Sequence, residues 1–220
     1  MPEVCGRQRT ADIEGTAMKT STARRPRASS LEKRQRILDA AARVLARQGY
    51  AETTLHDVAG ECGTYAASLY YYFSSRDDLV KEVVLLAVGR FGAAMAEAVA
   101  ALPAQATAID RLKAAVRAML LLSITKDDYA VAYNRIFDQL PDALNREVEQ
   151  ARNAVPIGVA ELLTAAIEAG EIGAGTDAKL ARILIIGTTH WMSKWSANKD
   201  QRSPHEIAEQ MTEMLMRAVA

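Results

Sequence analysis

Residues 31–79 read LEKRQRILDAAARVLARQGYAETTLHDVAGECGTYAASLYYYFSSRDDL, and this stretch decides the fold. Ile37, Leu38, Ala41, Val44 and Leu45 fall on one stripe at helical spacing, which predicts a first helix from about Leu31 to Gln48. Ser29, three residues before Glu32, gives it a capping-box start, and Gly49 stops it. A second helix opens at Thr54 with Asp57 in capping position and turns Leu55, Val58 and Ala59 inward. Gly63 then supplies a tight turn. A third helix is expected from near Thr64 through Tyr71, with Leu69 as its buried anchor and Phe73 plugging the base. Ser74 or Ser75 caps a fourth, and Asp77 and Asp78 lie in its first turn, where the helix dipole favours negative charge. Two short helices meeting at a glycine turn are the layout of a helix-turn-helix.

Outward from this stretch the chain stays helical. The fourth helix should reach about Leu102, where Pro103 stops it. Further helices are expected over Ala108–Ser123, Tyr129–Gln139, Asp142–Ala169 with a kink at Pro156, Asp177–Trp195, and from Ser203-Pro204 to the end. The expected fold is all-α: a three-helix helix-turn-helix unit over 31–78 and a larger helical body over 79–220, about nine helices in all. Residues 1–30 lack a sustained apolar period and read as a disordered basic arm ending in Arg24-Arg25-Pro26-Arg27.

Charge is uneven along the chain. The whole is formally neutral, with 27 Lys+Arg against 27 Asp+Glu, yet residues 1–47 hold 11 basic and 5 acidic residues, a surplus of 11 − 5 = +6. Basic charge therefore gathers where a phosphate backbone would be met. Cys5 and Cys62 make no disulfide framework and have no metal-ligand neighbours. Among the three histidines no metal set forms, no Ser/His/Asp or Cys/His constellation appears, and no glycine-rich phosphate loop is present, so neither metal, cofactor nor enzyme chemistry is expected. No uncharged run is long enough for a bilayer and the start lacks the apolar core of a secretory signal, which points to a cytosolic protein without membrane contact.

The chemistry of the turn suits duplex DNA. Ala66, Ala67 and Ser68 are small, so the third helix can enter a major groove deeply, and Ser68 can bond a base edge. Tyr70, Tyr71 and Tyr72 carry hydroxyls suited to phosphate oxygens; Tyr71 and Tyr72 are the stronger candidates. Thr54 at a helix start, with His56 beside it, and Arg76 as a second phosphate clamp complete the set.

These residues resemble the TetR/AcrR family of transcriptional regulators. The matching positions are Ile37-Leu38-x-Ala40-Ala41, Gly49-Tyr50, Thr53-Thr54, Asp57-Val58-Ala59, Cys62-Gly63, Ser68 to Phe73 and Ser75-Arg76-x-x-Leu79. Thr64–Ala67 departs from the family's common pattern, with no lysine at Ala66 and a bulky Tyr65, so no family operator sequence carries over. The resemblance implies a sequence-specific regulator, most simply a repressor that a small molecule releases from a palindromic operator, and a homodimer built from the last two helices. Apolar stripes Leu180, Ile183, Leu184, Gly187, Trp191 and Ile207, Met211, Met214, Leu215, Ala218 fit such an interface. A DNA-binding architectural protein with no effector is the alternative.

An effector pocket is expected among the middle helices, with Met119, Tyr129, Tyr133, Phe137, Arg152 and Trp191 as candidates. The segment Thr189–Trp195 followed by Ser203-Pro204 is similar to a branch of the family that responds to acyl-CoA thioesters. Trp191 and Trp195 lie one turn apart and, with Lys194 and Arg152, would offer an aromatic face and cations to adenine and phosphates.

Overall fold

The computed structural model describes residues 25–195 and 202–219. Nine helices and no strands occur among them: α1 (Arg25–Glu52), α2 (Leu55–Glu61), α3 (Ala66–Leu69), α4 (Arg76–Ala100), α5 (Ala108–Ile124), α6 (Asp128–Ile136), α7 (Asp142–Glu168), α8 (Ala178–Lys194) and α9 (Pro204–Val219). The helix starts follow from side-chain caps. Thr54 and Asp57 form a reciprocal capping box on α2, Ser75 accepts from the Asp78 N–H on α4, Thr107 and Asp110 box α5, and Asp177 caps α8.

Two boundaries of the head differ from the sequence expectation. Helix α1 begins at Arg25, so Ser29 lies inside it and not at its cap. The disordered arm expected over residues 1–30 is therefore helical from Arg25 on, and its residues 1–24 lie outside the described residues. Helix α3 is a single turn that ends at Leu69, where the N–H groups of Tyr72 and Phe73 both reach the Leu69 carbonyl, at 2.9 and 3.0 Å. That tightened closure brings Leu69 and Phe73 into one core while the tyrosines between them are left in a turn. Pro156 sits inside α7 without ending it.

Gly49 interrupts α1 with φ 83° and ψ −176°. The left-handed φ suits glycine, and a Cβ there would lie 2.9 Å from the Gln139 Oε1. The same Oε1 accepts the Tyr50 N–H at 2.9 Å. The turn after the first helix is thus fastened to the loop between α6 and α7.

Two apolar cores result. The first gathers α1 to α3, the N-terminal half of α4 (Leu79 to Val88), Tyr129, Ala132 and Ile136 of α6, and the start of α7. The second gathers Phe91 and Met95 of α4 with α5, the rest of α7, α8 and α9. Each fully buried Leu, such as Leu38, Leu45 or Leu120, contributes about 2 kcal/mol. Helix α4 is the shared beam. By length and composition it could cross a membrane, against the expectation that no segment could. Its buried face, Leu79 to Met95, is covered by the protein's own cores, and charged residues such as Lys81, Glu82 and Arg90 interrupt the rest.

Candidate functional sites: a DNA-reading face and a cavity beneath the fourth helix

At the head, the turn of α2 and α3 presents aromatic surface to solvent. Tyr65 is 83% exposed, Tyr71 81% and Tyr70 61%. Beside them Thr54, His56, Ala67 and Ser68 are exposed, Ala66 is half-buried, and Tyr72 leans into the first core with its ring edge-on to Tyr71, 5.0 Å between centroids. The order of the tyrosines therefore changes: Tyr70 and Tyr71 are free for a partner, and Tyr72 is partly a packing residue. Tyr65, which the sequence marked only as a departure, is the most open of the four.

Two expected phosphate ligands serve the fold. Arg76 donates from Nη1 to the carbonyls of Tyr50 and Thr53, both at 3.2 Å, and from Nε and Nη2 to Asp77. Its guanidinium lies 4.2 Å from the Tyr50 ring centroid. Four of its five donors are so occupied, which makes Arg76 a rivet between the end of α1 and the start of α4. Thr54 donates both its N–H and its hydroxyl to Asp57, at 2.9 and 2.6 Å, and these bonds hold the Asp57 carboxyl below its usual range. Three cations of α1 are likewise paired. Arg47 and Arg43 clasp Glu61 at 2.6 and 2.8 Å and hold its carboxyl below the usual range, and Arg34 meets Glu82 at 2.9 Å. Lys33 and Arg36 keep no ion pair among the described residues. Much of the basic surplus of the described part of this region is thus fixed in internal ion pairs.

A cavity of about 670 Å³ opens beneath α4, within the range of small-molecule sites. Its buried wall is Val88, Phe91, Met119, Asn134 and Thr189, with Tyr133, Phe137 and Ile186 partly buried beside them. Exposed Asp138, Asp142, Arg146, Glu149 and Asn153 line it nearer solvent. Tyr133, Phe137 and His190 stack edge to face, 5.6 and 5.4 Å between successive centroids. Arg152 lies 4.0 Å over the Phe137 ring and donates to the Asn145 Oδ1. Burial, then Lys194, lowers the His190 pKa and favours the neutral imidazole; burial raises that of the Tyr133 hydroxyl against the pull of Arg152.

Four of the expected pocket residues, Met119, Tyr133, Phe137 and Arg152, line this cavity. Four do not. Tyr129 is only 3% exposed and packs in the first core, where its hydroxyl donates to Asp39 at 2.7 Å and accepts from Gln35 at 3.0 Å. Burial, then Asp39, pushes its pKa up, so it stays a phenol tying α6 to α1. Trp191 is 63% exposed on the outer face of α8, Lys194 is exposed, and Trp195 packs against the second core. The shared aromatic face does not form, because Trp195 leaves the helix with ψ 136°. Asn134 and His190 went unmarked. A lone amide beside Tyr133, in a helix otherwise apolar on that side, was the available signal.

The outer face of α8 remains apolar and open: Leu180, Ile183, Leu184 and Trp191 are all exposed. On α9 only Met214 and Ala218 of the expected stripe face outward, while Ile207 and Leu215 are buried in the second core. No group of histidines, cysteines and carboxylates that could hold a metal occurs among the described residues.

A helix-turn-helix face joined through shared helices to a cavity-bearing helical body defines a ligand-linked DNA-binding transcriptional regulator. The chain belongs to the TetR family: residues 37–83 match the family model for bacterial regulatory proteins of the tetR family, and residues 105–219 match the tetracyclin repressor-like C-terminal domain. It is 26% identical over 192 residues to the fatty acid metabolism regulator protein of Bacillus subtilis (strain 168), spanning 85% of this chain and 95% of that relative. Its fold is that of AibR, crystallised with isovaleryl coenzyme A and operator DNA, with a TM-score of 0.75 at 20% identity over 84% of this chain and 98% of that one. The regulator FadR from Bacillus subtilis in complex with stearoyl-CoA superimposes with a TM-score of 0.70 at 24% identity, over 84% of this chain and 99% of that one.

Proposed function

We propose that this protein is a cytoplasmic homodimeric repressor that leaves a palindromic operator when an acyl-CoA thioester occupies the cavity beneath α4. One observation carries the reading. Helix α6 and the loop after it wall the cavity with Tyr133, Asn134 and Phe137, and hold α1 through Tyr129–Asp39 and Gln139–Tyr50. A guest that reorients α6 therefore moves the reading head. The acyl part would lie against Val88, Phe91 and Met119, and Arg146 and Arg152 would meet the phosphates, with three carboxylates nearby limiting how many anions the mouth accepts. The names and ligands of the relatives support the thioester, although the tryptophan face that first suggested it is not part of the cavity.

On DNA, Tyr65, Ser68, Tyr70 and Tyr71, with Ala67 and His56, form the contact set, and Thr54 and Arg76 hold the frame. The open apolar face of α8 seats the second copy, which sets two heads about 34–36 Å apart for adjacent major grooves. Effector binding acts only through its different affinity for the DNA-competent and released spacings. An architectural protein without effector has no use for a cavity tied to its reading head. A thermal-shift panel of acyl-CoA thioesters from short to long, with free CoA as control, tests the ligand class. Stabilisation by at least one chain length is expected, and no shift with any thioester would remove the acyl-CoA assignment.

A further inference from the structure

The cavity's buried wall is apolar except at one point. Asn134 is 6% exposed, lines the cavity beside Val88, Phe91 and Met119, and its Nδ2 has no hydrogen-bond partner. Among the described residues only one other buried side-chain polar atom is orphaned, the Ser123 hydroxyl, one helical turn beyond Met119 on α5. The neighbouring polar wall residue is satisfied: the Thr189 hydroxyl donates to the Ile185 carbonyl at 3.0 Å. A buried amide donor with no acceptor is a standing cost to the empty protein, and a structure that keeps one needs a reason. The terminal torsion of an asparagine is soft, so the amide of a wall residue can turn its N–H onto a guest.

We propose that Asn134 forms a hydrogen-bonding subsite in the buried part of the cavity, and that the effector carries a carbonyl oxygen there. This rests on reading the cavity as the effector site, and it narrows the effector to molecules whose buried portion is oxygenated, against plain alkyl chains. An alkyl chain laid along this wall would leave the Asn134 donor, already shut off from water, without an acceptor. A guest with a carbonyl at that depth satisfies it. Discrimination is strong in such a case, because the wrong guest leaves a buried polar group unpaired.

The test compares matched guests on the full-length wild type and on Asn134→Leu, which keeps the branching at Cγ, with a somewhat larger side chain, and removes the donor. Calorimetry with 3-oxooctanoyl-CoA and octanoyl-CoA should show the oxo thioester favoured by about tenfold in the wild type, the scale of one hydrogen bond to a group otherwise unpaired. Asn134→Leu should abolish that preference. A second pair without CoA, 4-phenyl-2-butanone and butylbenzene, is read by thermal shift on the same two proteins. If no thioester binds but the ketone is preferred only by the wild type, the subsite stands and the acyl-CoA assignment falls. If a guest pair binds and Asn134→Leu leaves its preference unchanged, the subsite is overturned, as it is if neither pair shows a preference in the wild type. Without ligand, Asn134→Leu should unfold at the same temperature as the wild type or higher. A clearly lower one would make the amide a structural group and overturn the proposal.

Discussion

The reading head and the cavity are built from the same kinds of side chain and use them in opposite ways. In the head, Tyr65, Tyr70 and Tyr71 stand in solvent while Arg34, Arg43, Arg47 and Arg76 are tied to the protein's own carboxylates or carbonyls. In the cavity, Tyr133 and Phe137 turn inward, and Arg146, exposed with no ion pair among the described residues, and Arg152, held by the neutral Asn145 amide, the Phe137 ring and the Tyr133 hydroxyl, keep their charge available. An aromatic residue therefore signals recognition by where it is exposed, and an arginine by whether it is already neutralised. Residue type and spacing along the chain report neither.

The contrast can be broken most forcefully at the third aromatic surface, the outer face of α8. Trp191→Glu places a charge among Leu184, Ile183 and the mate's equivalent surface. We expect monomers on a sizing column and operator affinity lower by about a hundredfold, since the second head no longer binds as a tethered partner. Thioester binding by the monomer should survive, because Trp191 does not line the cavity. Loss of ligand with the dimer intact would return Trp191 to the pocket.

Arg76→Ala separates rivet from clamp. It removes the donors to the Tyr50 and Thr53 carbonyls and the cation over the Tyr50 ring, and should lower unfolding stability by about 2–3 kcal/mol in urea. A variant as stable as the wild type but blind to DNA would restore the phosphate role. Tyr71→Ala is the complementary case and the smallest effect. With its ring 81% exposed, stability should stay within about 0.5 kcal/mol, while operator affinity falls about tenfold in fluorescence anisotropy. Unchanged affinity would leave Tyr65 and Tyr70 to carry the contact.

The head was legible because its pattern encodes contacts that are local in sequence. The Thr54–Asp57 box, the Ser75 cap, the Leu69 anchor and the Gly49 break each follow from residues a few positions apart. The limits of α3 were not, because three consecutive tyrosines do not reveal that the Leu69 carbonyl closes the turn early. The cavity was half legible. Met119, Tyr133, Phe137 and Arg152 sit on helix faces that long-range packing happens to turn inward, whereas Tyr129 was turned one step further into the head by Asp39, 90 residues away. Asp39 and Gln35 advertise nothing of that bond in the sequence. The pairing of Arg43 and Arg47 with Glu61 was hidden for the same reason, since ion pairs between helices depend on how those helices cross.

Filling the cavity should loosen the reading head. The most direct measurement is fluorescence anisotropy of the full-length dimer on a labelled operator, chosen by the protein from random-sequence DNA, while acyl-CoA thioesters are titrated in and calorimetry follows their binding in parallel. One or more thioesters should release the DNA over the concentration range in which they bind, with free CoA leaving the complex intact. Saturable thioester binding with no change in anisotropy would contradict it.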